Sequence, residues 1–187
     1  MKLLYRFYEK YTHSSIINFL IRLFVRNTED KNKWLELCGM KIGKGCHLSC
    51  GVTAFPEPFM VELCKEVYIS YGVQFLTHDG SLSWIKCKKG LSDHMIEKIG
   101  KIKIGEHCFI GANAIIMQNV TIGNDCIVAA GSVVTKSFSD GLVIGGVPAR
   151  IICSIDEYLE RNKNLDDNTC AWSYGKKRAY YEAKDTK

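Results

Sequence analysis

The chain has 187 residues, about one domain's worth, and 47% of them are hydrophobic, enough to bury a sizeable core. Three prolines, 16 glycines and 24% charged residues exclude a disordered or collagen-like chain. The 25 Lys and Arg against 20 Asp and Glu leave +5, which suits an anionic small ligand as well as nucleic acid and decides neither. Nine cysteines are scattered and odd in number. They predict reduced thiols and a cytoplasmic protein, not a disulfide framework.

At the N-terminus, the most apolar run covers residues 16–25 and is broken by Asn18 and Arg22. A spanning helix needs about 20 apolar residues, and no small-residue cleavage site follows, so neither a membrane span nor a signal peptide is expected. Leu3, Leu4, Phe7, Tyr8 and Tyr11, then Ile16, Phe19, Leu20, Leu23 and Phe24, have amphipathic helical spacing. Residues 1–36 are therefore expected to form a helical segment packed on the rest of the protein. Peripheral contact with a membrane or a partner through this helix stays open.

From Ile104 every sixth residue is aliphatic: Ile104, Ile110, Ile116, Ile122, Val128, Val134. Gly105, Gly111, Gly123 and Ala129 follow the aliphatic residue. Asn113, Asn119, Asp125 and Gly131 come three after it, types that tolerate a left-handed backbone. Cys108, Ala114, Cys126 and Ser132 come four after it and are small. Neither a helix nor a hairpin has period six; a short strand plus a sharp corner does. Three such units close one coil of about 18 residues. Cys108 then lies beneath Cys126 inside the stack, a small buried group.

The pattern recurs upstream at Ile42 and Leu48, and at Leu63, Ile69 and Phe75, with Val67 and Val73 at the small positions. These two fragments are offset by 21 residues, so the stretch 53–61, with Pro56 and Pro58, shifts the register. The period stops after Phe75 and returns near Ile102, leaving residues 79–101 as an ejected loop. A long loop leaving a regular solenoid usually has a task, such as lid or binding loop.

The run IGEHCFIGANAIIMQNVTIGNDCIVAAGSVVTK, the GGVPAR ending at Arg150 and the upstream FPEPFMVELCKEVYISYGVQFLTHDGS resemble the hexapeptide-repeat O-acetyltransferases. The similarity covers residues 34–153 and is closest to the branch acting on capsule and O-antigen polysaccharides, with maltose and galactoside acetyltransferases as cousins. It implies a mainly β fold: a left-handed parallel β-helix over residues 37–153, after the helical segment 1–36 and before a C-terminal helix and tail, 154–187. It also implies a homotrimer with active sites between subunits, acetyl-CoA as donor, a saccharide acceptor, and no metal.

Acetyl transfer to a hydroxyl needs a base for the acceptor proton and an acid for the leaving thiolate, and histidine suits both. His78, in LTHDG where the repeat gives way to the loop, matches the family's catalytic base. Asp79 is adjacent and is expected to contact acceptor or turn the loop. Glu57 and Glu62, about one coil away, are the candidate partners of His78. Trp84 and His94 in the loop are candidate acceptor contacts, and His47 and His107 read as solvated corner residues. On the cofactor side the resemblance implies Gly111, Ala112, Ala130 and Gly131 for the pantetheine arm. It also implies Thr135, Lys136 and Arg150 for the phosphate and adenine end, where cations belong. Relatives place a second arginine where this chain has Cys153, so Lys101 or Lys103 are candidates to assist.

The histidines lack the close pair that a zinc carbonic anhydrase of the same prism would need, and Cys46-x₃-Cys50 lacks a second pair. No P-loop or dinucleotide motif is present, and basic and aromatic residues do not cluster as a nucleic-acid platform. Acetylation of a small acceptor (an antibiotic, a free sugar or an amino-sugar nucleotide) and a non-catalytic assembly module are the alternatives. After the repeat, Ser154 with Glu157 forms a capping box that starts a helix, followed by a basic aromatic tail expected to be packed or frayed.

Overall fold

Lys103 pairs with Thr121, Phe109 with Ile127 and Ile115 with Val133, each eighteen residues on, so one coil holds three strands. The computed structural model describes residues 2, 5, 20, 21, 25–91, 98–165 and 169–184. The chain runs through α1 (Thr28–Leu37), β1 (Lys41–Ile42), β2 (His47–Leu48), β3 (Val61–Leu63), β4 (Tyr68–Ile69), β5 (Gln74–Leu76) and β6 (His78–Asp79). It continues through α2 (Ser81–Lys88), β7 (Lys98–Ile99), β8 (Ile102–Ile104), β9 (Phe109–Ile110), β10 (Ile115–Met117) and β11 (Thr121–Ile122). Last come β12 (Ile127–Val128), β13 (Val133–Val134), β14 (Leu142–Gly146), β15 (Ala149–Ser154), α3 (Ile155–Asn162) and α4 (Tyr174–Lys184).

The strands stack into three sheets, one per side of the coil. Side A is β1-β3-β8-β11; side B is β2-β4-β9-β12-β14, closed by antiparallel β15; side C is β5-β10-β13. The chain visits A, B and C in turn, so each coil has three corners. His107, Asn113, Asn119, Asp125 and Gly131 turn successive corners with φ between 53° and 69°, a backbone region whose cost Asn, Asp and Gly minimise. All six aliphatic positions from Ile104 to Val134 are fully buried. Truncating any of the four isoleucines to Ala costs about 2–5 kcal/mol.

The small positions Cys108, Ala114, Cys126 and Ser132 are buried as well. The thiols do more than fill space: Cys46, Cys108 and Cys126 donate to the carbonyls of Cys64 (3.0 Å), Gly123 (3.0 Å) and Ser139 (3.2 Å). The hydrogen bond to Cys126, together with burial, pushes the Cys108 thiol up, and burial pushes Cys50 up to about 11.

Two irregularities interrupt the coil. In the lower coils Lys41 pairs with Glu62 and His47 with Tyr68, an offset of twenty-one. There two 3₁₀ turns, Val52–Ala54 and Pro58–Met60, replace a side-C strand. Higher up, Glu62 pairs with Lys103 and Gln74 with Ile115, an offset of forty-one, so one coil carries twenty-three extra residues. This excursion is not the plain loop expected: His78 pairs with Ile99 and Asp79 with Lys98 in an antiparallel β6–β7 ribbon, and α2 lies between.

At the ends, Ile21, Val25, Trp34 and Leu35 join the same core. The expected capping box is present: Ser154 Oγ accepts from the Glu157 N–H (3.1 Å) and Glu157 accepts from the Ser154 N–H (2.9 Å). The tail forms α4, packed edge-on through Trp172 and Tyr180 (5.3 Å between centroids), where a packed or frayed tail was expected. No helix among the described residues is long and apolar enough to cross a membrane.

Candidate active site

The excursion leaves from the corner between sides C and A, and His78 is its second residue after β5. One coil below, Pro58 opens the 3₁₀ turn Pro58–Met60, which puts Glu57 directly under His78. The His78 Nδ1 lies 2.9 and 3.0 Å from the two Glu57 carboxylate oxygens. The fully buried Thr77 donates its hydroxyl to the same carboxylate. The Gly100 N–H, where the excursion returns, donates to the Thr77 carbonyl (2.8 Å). Thr77 thus fixes the carboxylate that His78 contacts, while the His78 side chain stays 41% exposed.

Of the two acids, the structure brings Glu57 to His78 and leaves Glu62 on side A. There Glu62 bridges Lys103 (2.9 Å) and Lys41 (3.4 Å), and its bond to Lys103 holds its carboxyl below the usual range. Twenty-one residues separate Glu57 from His78, the same offset as between the paired strands of the lower coils. Asp79 accepts from the Ser81 N–H (2.8 Å), and that bond, with one from the Ser81 side chain, lowers its carboxyl pKa and turns the chain into α2. Trp84 on α2 is 62% exposed, with the Lys88 ammonium 4.7 Å from its ring centroid. His94 lies outside the described residues. His47 is in β2, stacked on Tyr68 (4.8 Å), and His107 bridges Asp125 (3.1 Å) and Glu66 (3.4 Å) at its corner.

The cofactor candidates fall on two different corners. Gly111, Ala112 and Ala130 line a groove of about 690 Å³ between side B and α3, at the corner between sides B and C. No hydrogen bond within the described residues takes up the N–H of Ala112 or Ala130. A Cβ on Gly111 would meet the Ala130 nitrogen and Val128 oxygen at 2.6 Å, so this glycine is required by coil-to-coil approach whatever else it does. Gly131, by contrast, faces open space at φ 69°. Thr135 and Lys136 sit instead on the corner that carries His78, two coils higher, with Lys136 5.5 Å from the Phe138 centroid. Arg150 lies on the β14–β15 hairpin opposite Gly145, its guanidinium donating to the Ala149 carbonyl (2.9 Å).

Two residues were missed in the sequence. Thr77 gives no pattern of its own because its role depends on the coil below. Arg161, seven residues after the Ser154 cap, lines the side-B groove together with Cys153. Lys101 and Lys103 lie on side A, away from this groove. Among the described residues, no group of three or more His, Cys, Asp or Glu side chains is arranged to hold a metal ion.

Residues 101–136 match the family described as the hexapeptide repeat of succinyl-transferase. Protein CapG of Staphylococcus aureus is 40% identical over 163 residues, 86% of this chain and 91% of that protein. The chain belongs to the hexapeptide-repeat acetyltransferase family. Other family members share the fold. A maltose O-acetyltransferase from Clostridium difficile 630 superposes with a TM-score of 0.55 at 24% identity, over 82% of this chain and 89% of that one. A hexapeptide-repeat acetyltransferase of Vibrio cholerae, solved with acetyl coenzyme A, gives 0.51 at 22%, over 76% and 90%.

Proposed function

We propose that this family member transfers the acetyl group of acetyl-CoA directly to a hydroxyl of a sugar or polysaccharide precursor, with His78 as general base. The Glu57–His78 contact carries this reading. A carboxylate on Nδ1 keeps the ring proton there, so Nε2 presents its lone pair to the acceptor hydroxyl. The hydroxyl oxygen attacks the thioester carbon as its proton passes to Nε2. The C–S bond then breaks, and the thiolate leaves with a proton returned from the imidazolium. Asp79, Trp84 and His94 remain candidate acceptor contacts on the excursion.

The separation of the two corners supports a site shared between copies in a homotrimer of left-handed coils. Ala112 and His78 lie at opposite ends of side C, and six residues of strand span about 20 Å. Reacting atoms must come within about 3.5 Å. The groove of one copy facing the His78 corner of its neighbour removes that gap. It also brings Thr135 and Lys136 of the neighbour to the phosphate end of a donor held by Ala112, Ala130 and Arg150.

The test is thiol release from acetyl-CoA with a panel of capsule-type sugars. His78→Ala is expected to lower turnover at least about 10²-fold while acetyl-CoA still binds. Turnover near wild type overturns the assignment, and reaction only with amines redirects it to N-acetylation.

A further inference from the structure

Beside the His78 corner, on side A, lies a second cleft of about 250 Å³, formed by Lys41, Phe59, Met60, Glu62, Lys101 and Lys103. Both of its flanks are tied to the base. Phe59 follows Glu57 by two residues within the same turn, and Lys101 follows Gly100, whose N–H is bonded to Thr77. The cleft is smaller than the roughly 300–1,000 Å³ of a complete ligand pocket, so it suits one group of an acceptor whose reacting hydroxyl is at His78.

Its chemistry is specific. Glu62 is the only carboxylate among these six residues and is shared by Lys41 and Lys103. Lys101 makes no ion pair or hydrogen bond among the described residues. Three ammonium groups against one carboxylate leave two positive charges, the complement of a phosphate ester's two negative ones. Phe59, 61% exposed, offers an apolar ring beside them, the surface on which a sugar's C–H face packs.

We propose that this cleft takes the phosphate of a phosphorylated saccharide acceptor, with Lys101 as its principal cation. The acceptor is thus a sugar carrying a phosphate or diphosphate, acetylated before that group is lost. This rests on His78 being the base.

The experiment compares a neutral hexose, its 1-phosphate, its uridine diphosphate ester and its diphosphate on a short prenyl chain, using wild type and Lys101→Glu. Acceptor KM and acetyl-CoA KM are both read, and binding of the same compounds in the presence of CoA is followed by calorimetry. At least one phosphorylated form is expected to bind about tenfold more tightly than the neutral sugar, the low end for hydrogen bonds to charged groups, and Lys101→Glu is expected to abolish that preference. Which form is preferred separates the sources of the phosphate. Equal binding of neutral and phosphorylated sugars overturns the proposal while leaving the base assignment intact. A Lys101→Glu effect on acetyl-CoA KM alone also overturns it, by assigning the cleft to the donor. Phosphorylated sugars that bind but are never acetylated count against His78, not against the cleft.

Discussion

The corner at Gly111 and the corner at His78 are equivalent positions of one repeat, yet the chain treats them oppositely. At Gly111 the coils approach so closely that no Cβ fits, and the surface is a smooth edge of small residues. At His78 the coil opens, ejects twenty-three residues, and anchors a charged cluster between the outgoing and returning strands. Regular coiling suits a long, uniform cofactor arm. An interruption is where a repeat can place a side chain that no other coil has.

Mixing two defective variants tests this division most severely. His78→Ala spoils one corner and Ala112→Trp the other. In the proposed homotrimer, random mixtures of both are expected to regain about one quarter of wild-type turnover, since each proposed site needs His78 from one copy and the groove from its neighbour. No recovery would place both functions within one chain.

Within the His78 corner, Glu57→Gln removes the carboxylate but keeps the shape, and turnover should fall about 10- to 100-fold. Thr77→Val removes only the hydroxyl that aims Glu57. A fall in kcat of about three- to tenfold, with acetyl-CoA KM unchanged and Thr77→Ser restoring activity, identifies a positioning role. An equal loss in Thr77→Ser points to packing.

At the other corner, Gly111→Val forces a side chain onto the next coil and should cost about 1–3 kcal/mol of stability, read as a lower Tm. Ala112→Trp, which only fills the groove, should leave Tm in place and raise acetyl-CoA KM. The smallest effect concerns the thiols. Cys87 and Cys170 are exposed and should label readily, whereas Cys50, Cys108 and Cys126 are buried. With its thiol pushed up to about 11 by burial, Cys50 lacks the thiolate that labelling needs until the protein unfolds. Fast labelling of Cys50 in the native state would show the lower coils to be looser than the upper ones.

Reading the repeat predicted the six buried aliphatic residues, four of the left-handed corners, the small residues beneath them and the capping box at Ser154. It missed the helix and ribbon within the excursion, because residues 79–101 have no period to betray them. For the acid beside His78 it left Glu57 and Glu62 open, because sequence distance alone puts both near one coil away. Pro58 settles it by shortening that side into a 3₁₀ turn.

The opening counts of length, charge and cysteines bounded the chain without saying what it does. Period six then determined which residues face inward and how many close a coil, since burial and corner geometry repeat locally along the chain. Only the tertiary structure decided what meets across coils: Thr77 with Glu57, Arg161 in the side-B groove, Lys101 beside Phe59, and Ala112 and His78 on separate corners. Those pairings depend on how many residues each interrupted coil inserts, and a short insertion moves every later side chain relative to the coil below.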